Sequence, residues 1–191
     1  HYPLANRDNL PQVTQFIALR DPAQLRQIYL RMLQAGLFPY LDLKLTPEYR
    51  AKFKGASLSE LISGLDWAEL ILNRQENPLH LLLADMDFPL YLTTNVDSFM
   101  LEALKAKGKS PRSMGLRWEK PEAGSPKYII TPDPDPASPV VLHLNGSDDP
   151  EQVDHLILSE DDYLAQFVRL SRDWDYVLPM NVIEPLTRYS Y

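Results

Sequence analysis

With 191 residues, of which 45% are hydrophobic and 24% charged, the chain can bury one sizeable core and is too apolar to be a disordered tail, so a single globular domain over 1–191 is expected. A net charge of -7, with the acids concentrated between Asp148 and Asp162, gives no electrostatic reason to expect nucleic acid as a direct partner. The absence of cysteine excludes disulfides and cysteine-based metal sites and favours a reducing compartment. No apolar run approaches the roughly 20 residues that cross a bilayer, and no signal-peptide pattern opens the chain, so a cytoplasmic protein without a membrane partner is expected.

The first third reads as helical. Pro11 suits a first turn, with Val13, Phe16 and Ile17 following at helical spacing. Asp21 as N-cap and Pro22 at N1 open a helix with Leu25, Ile28, Tyr29, Met32 and Leu33 on one face and Gly36 as its stop. Thr46-Pro47 starts another, Ser57 and Glu60 form a capping box for the run Leu58 to Leu65, and Asp66 caps a helix through Leu72. This layer, 1–75, is expected to form a side wall or lid on an α/β core over 76–191.

The period then changes. Leu79 to Met86 reads as a helix, Pro89 to Thr94 as a buried strand, and Ser98 to Lys107 as an amphipathic helix stopped by Gly108. The basic stretch Lys105 to Lys120 reads as a solvated helix end and loop, and Lys127 to Thr131 as a strand. The prolines at 132, 134 and 136 force an extended loop, Val140 to Leu144 is a strand, and Ser159 caps a helix to about Arg172 with Asp161 and Asp162 in its first turn. Alternating helices and strands predict an α/β fold: a Rossmann-like parallel sheet covered by helices on both faces.

Chemistry concentrates where two apolar runs stop abruptly on polar residues: Tyr91-Leu92-Thr93-Thr94-Asn95-Val96-Asp97 and Val140-Val141-Leu142-His143-Leu144-Asn145-Gly146-Ser147. In open parallel sheets ligands bind outside the carboxyl ends of strands, so these ends are expected to share one crevice. Asn95 brings a donor and an acceptor, and Asp97 falls on the same face two residues on, a pair suited to ribose and carboxamide; the alternative is an Asx-turn capping the next helix. The seven glycines, at 36, 55, 64, 108, 115, 124 and 146, are too dispersed to write G-x-G-x-x-G or a P-loop. Asp85-Met86-Asp87 imitates a D-x-D metal site, although a helix end and turn explains it more simply. His80 and His155 read as structural, and Trp67, Trp118 and Trp174 as core or interface.

The T-x-N-x-D segment, the strand ending at Asn145-Gly146, and Leu156 to Tyr163 together resemble the sirtuin-like domains of bacterial multidomain proteins, many of them NAD-consuming effectors of anti-phage defence. The resemblance runs the length of the chain and is most specific at Thr93 to Asp97 and His143 to Tyr163. It implies a chain trimmed at both ends, without the upstream Gly-rich loop strand and the final strand, and without the four-cysteine zinc module of sirtuin deacetylases. It implies NAD as substrate, other domains of the same polypeptide and a second copy of the chain as partners, and no bound metal. It implies that Asn95 orders the nicotinamide ribose, that Asp97 contacts the nicotinamide amide, that Thr93 and Thr94 shape the pocket, and that Asn145, Gly146 and Ser147 line it.

One position departs from the family. Sirtuin-like enzymes carry a general-base histidine immediately before the glycine, where this chain has Asn145, which cannot titrate. His143 lies two residues earlier on the same strand face, and some relatives also have a histidine there; its alternative reading is a structural histidine bonded to backbone. The expected function is therefore NAD glycohydrolysis with Asn95 and His143 as catalytic residues, or else a degenerate nucleotide-sensing or assembly module.

Overall fold

The structure, a computed structural model, describes residues 9–42, 47–52, 55–64, 79–116, 118, 122, 124–150 and 152–188. In chain order the helices α1 (Leu10–Ala18), α2 (Pro22–Asp42), α3 (Pro47–Lys52), α4 (Leu58–Ser63) and α5 (Leu79–Ala84) precede β1 (Leu90–Thr93) and α6 (Phe99–Ala106). Then come β2 (Arg112–Gly115), β3 (Val140–His143), a 3-10 turn (Val153–His155), α7 (Glu160–Arg172), α8 (Trp174–Val177) and α9 (Met180–Arg188). The sheet is parallel, in the order β1-β3-β2, with Leu90 opposite Val140 and Arg112 opposite the same residue on the other side.

Central β3 is fully buried, and its alternation divides the core. Val140 and Leu142 pack with Leu116, Tyr128, Ile130, Val177 and Val182, whereas Val141 packs with Ala84, Tyr91, Met100, Ala103 and Leu104 from α5 and α6. Both faces are thus covered, as the α/β reading requires. A third cluster joins Leu25 of α2 to Val96, Val153, Leu156 and Leu158, with Ile17, Tyr29 and Leu33 against it, so the helical layer rests on the loop after β1.

Most element starts follow their caps. Asn9 accepts from the Gln12 amide at 3.2 Å, and the Ser57/Glu60 box opens α4. At α7, Ser159 and Asp162 form a reciprocal box, so Asp162 is a cap as well as a first-turn acid. Gly36 does not stop α2. Its φ is not positive, no neighbour crowds it, and the helix runs to Asp42. Met32, expected on the buried face, is 67% exposed. The expected helix from Asp66, and Trp67, lie outside the described residues.

Two strand expectations need correction. Lys127 to Thr131 forms no strand, because the Asn181 side chain takes both Ile130 backbone groups, accepting its N–H at 3.1 Å and donating to its carbonyl at 3.0 Å. The amide of one side chain replaces a ladder partner, and Ile130 is buried without a sheet. Conversely, Arg112–Gly115, inside the stretch read as a solvated helix end and loop, is β2. Its Arg-Ser-Met-Gly sequence lacks the β-branched residues that signal a strand, and pairing with β3 imposes the conformation. β1 is also less buried than expected, with Leu92 47% exposed, since only one of its edges is paired among the described residues.

Candidate active site

The two polar strand ends meet. Four consecutive carbonyls, from the last residue of β1 onward, are each taken by the chain from the last residue of β3 onward: Leu144 N–H donates to Thr93 O at 2.8 Å, Asn145 Nδ2 to Thr94 O at 3.5 Å, His143 Nδ1 to Asn95 O at 2.8 Å, and Asp148 N–H to Val96 O at 2.8 Å. Both turns are thereby fixed as one unit. Gly146 supports the arrangement with φ +80°, and a Cβ there would lie 2.7 Å from His155 O, so a side chain is excluded by conformation and by contact.

Within this unit the expected site residues have unequal freedom. Thr94 and Asn95 are exposed. Thr93 Oγ1 accepts from Asn95 N–H at 3.0 Å, and Asp97 Oδ1 accepts from Phe99 N–H at 3.2 Å, the Asx-turn that opens α6. Asn145 Oδ1 accepts from Gln166 Nε2 at 3.2 Å, and buried Ser147 donates to Gln152 Oε1 at 3.2 Å. The Asn95 side chain therefore faces solvent with its amide uncommitted, while Asp97 keeps one oxygen.

His143 is 1% exposed. Because a carbonyl only accepts, the bond to Asn95 O places the proton on Nδ1 and leaves the lone pair on Nε2. Burial pushes its pKa down against the opposing pull of the Asn95 bond and the Asp97 and Asp149 carboxylates, so the ring is neutral near pH 7. A neutral, oriented imidazole has the protonation state of a base, and the same geometry is that of a histidine tying two turns together.

Sequence reasoning missed two residues here. Asp148, 5% exposed, accepts from Ser98 Oγ at 3.3 Å. Desolvation, reinforced by the Asp97 charge and opposed by Ser98, raises its pKa from 3.8 to about 6. Tyr29 of α2 has its phenol pushed up by burial, then by Tyr163 and Asp97, and packs against the cluster that contains Val96, beside the turn after β1. Neither carries a sequence signal: Asp148 is one acid in an acidic run, and Tyr29 reads as core.

Asp148 gives a pH test. An acid with a raised folded-state pKa favours folding fully only below its unfolded value near 3.8, and that contribution is lost as pH rises through about 6. The penalty at pH 7 is at most about 3 kcal/mol. Asp148→Asn, which keeps an acceptor for Ser98, should therefore stabilise the protein at pH 7 and hardly at pH 4. Denaturant unfolding of both proteins between those limits checks this, and a pH-independent difference would exclude Asp148 as the titrating group.

The D-x-D alternative has no support in the geometry. Asp85 and Asp87 follow α5, and each faces a lysine, Lys107 at 2.7 Å and Lys109 at 3.8 Å. No group of three or more His, Asp or Glu among the described residues is placed to hold a metal. His80 sits against the Phe99 ring with centroids 6.1 Å apart.

Two neighbouring parallel strand ends are thus stitched together through the carbonyls of the first, with T-x-N-x-D on one and Asn-Gly on the other. Residues 89–177 match the family model for SIR2-like domains. The match runs from the residue before β1 to the end of α8, so it contains the whole sheet and both polar strand ends. It supports a sirtuin-like domain here, with the N-terminal helices outside the matched range. No curated protein matches the chain. No helix among the described residues is long and apolar enough to cross a membrane.

Proposed function

We propose that the domain binds NAD in the crevice between the ends of β1 and β3 and, within a larger bacterial protein of anti-phage defence type, hydrolyses its nicotinamide–ribose bond. The observation that carries the reading is the exposed, uncommitted Asn95 amide, held on a turn whose carbonyls are all bonded, inside a segment matching SIR2-like domains. The leaving nicotinamide is already cationic, so most of the rate comes from positioning and from electrostatic stabilisation of an oxocarbenium-like transition state. Asn95 and the free oxygen of Asp97 orient the ribose and amide, Thr93 and Thr94 shape the wall, and His143 Nε2 takes a proton from the water that attacks the ribose carbon as nicotinamide leaves. Asn145, Gly146 and Ser147 hold the far wall.

A second reading rests on a specific observation: the family's histidine position is Asn145, bonded to Gln166, and His143 is almost fully buried. In that reading the domain senses a nucleotide or assembles without catalysis. Nicotinamide release and NAD binding by the full-length protein separate the two. Release with turnover supports the hydrolase, binding without release supports the sensor, and neither binding nor release rejects both of these and leaves only assembly.

A further inference from the structure

Four buried side-chain nitrogens lack a hydrogen-bond partner among the described residues: Arg26 Nε, Arg112 Nε, Trp118 Nε1 and Arg169 Nη1. Three of these residues, Arg26, Trp118 and Arg169, line one half-open cavity of about 200 Å³. They come from α2, from the segment after β2 and from α7, so three distant stretches of chain bring donor-bearing side chains to one cavity. A donor removed from water without an acceptor carries its full desolvation cost, and three at one cavity mark a place where the free protein lacks acceptors.

The carboxylates nearby do not fill that role. Asp162 Oδ2 accepts from Leu158 and Ser159 N–H at 3.1 and 2.9 Å, and its other oxygen lies 3.7 Å from Arg26. Asp154 is exposed, where water screens it. The Arg169 guanidinium makes no ion pair among the described residues. Leu156, Ile157 and Ala165 supply apolar wall.

We propose that this cavity binds a phosphoryl group, free or as a small phosphate ester, through Arg26, Arg169 and the Trp118 indole N–H. Donors arriving from three segments suit a tetrahedral group with several acceptor oxygens better than a planar carboxylate. The volume is below the 300 Å³ or so of sites that enclose drug-sized ligands, which fits a phosphoryl group and its immediate substituent, not a whole dinucleotide. The unpartnered N–H groups are themselves shielded from solvent, so binding requires these side chains to turn toward the cavity. Gln166, on the same lining, donates to Leu144 O at 2.8 Å and to Asn145, so the cavity backs onto the strand end without sharing the crevice. The inference does not depend on NAD being the substrate.

Thermal unfolding of the full-length protein in inorganic phosphate, against sodium chloride at matched ionic strength, tests it. A saturable rise in melting temperature is expected, lost in Arg169→Gln and in Arg26→Gln, and retained in Arg31→Gln, an exposed arginine of α2 outside the cavity. Without phosphate, Arg169→Gln should melt at or above the parent, because it removes an unpartnered charge. Ribose 5-phosphate in the same titration separates the sources: half-saturation at lower concentration than phosphate indicates an ester, and equal or weaker response indicates the free ion. No saturable rise, a rise that survives both cavity variants, or an equal response to acetate would overturn the proposal.

Discussion

Asn95→Ala in the full-length protein should lower nicotinamide release by about 10²-fold or more, the usual cost of losing a group that positions the reacting bond. Stability should change by no more than about 0.5 kcal/mol, as for surface substitutions away from packing and caps. The structure separates the two effects: the side chain is exposed and uncommitted, while the backbone of the same residue accepts from His143 and donates to Thr93, bonds that alanine keeps. Asp97 offers no such separation, since its carboxylate closes the Asx-turn onto Phe99 N–H at the start of α6, and Asp97→Ala should lose stability and turnover together. A lowered melting temperature for Asn95→Ala with turnover retained per folded molecule would remove Asn95 from catalysis.

The second large effect concerns His143. If Nε2 is the base, His143→Ala should lose 10²–10⁴-fold in turnover, the usual range for general-base removal. Because the ring is 1% exposed, alanine also leaves a cavity and costs stability, so His143→Gln, which fills more of that space and carries no basic nitrogen, is the better variant. Under the same reading Asn145→His gains little. In a domain without catalysis the parent is inactive, His143→Gln changes nothing measurable, and Asn145→His restores a trace of hydrolysis by returning a titratable group beside Gly146. Measuring nicotinamide release from parent and variants decides between them, and an active parent indifferent to His143→Gln would point to a base outside these two strands.

What was legible in the sequence were features whose cause is local. The Ser57/Glu60 box, the Pro22 start and the run Val140 to Leu144 each contain their own reason in a few residues, and the structure has them. The meeting of Thr93–Asp97 with His143–Ser147 was also legible, because strand ends of a parallel sheet gather on one side. Features imposed from a distance were not. β2 is a strand because β3 lies beside it, Ile130 is satisfied by an asparagine 51 residues away, and Asp148 is perturbed by burial under groups that no spacing rule connects to it. At Asp97 the turn-capping alternative is present in the hydrogen bonds, which leaves one carboxylate oxygen for any ligand.

The tie between α1 and the start of α7 has a consequence for how the molecule is made. Thr14 donates its hydroxyl to Leu158 O, and Gln15 both donates to Asp161 Oδ2 at 2.7 Å and accepts from Asp161 N–H at 3.1 Å, across some 144 to 146 residues. Ring closure over that length adds little to the equilibrium cost, since the entropy grows only with the logarithm of the span. Timing is a different matter. At ribosomal rates of about 5–20 residues per second, α1 emerges roughly seven to thirty seconds before its partner exists. Over that interval Ile17, Leu25 and Leu33 have no Leu156 or Leu158 to cover them, so the helical layer closes only after most of the chain has been synthesised.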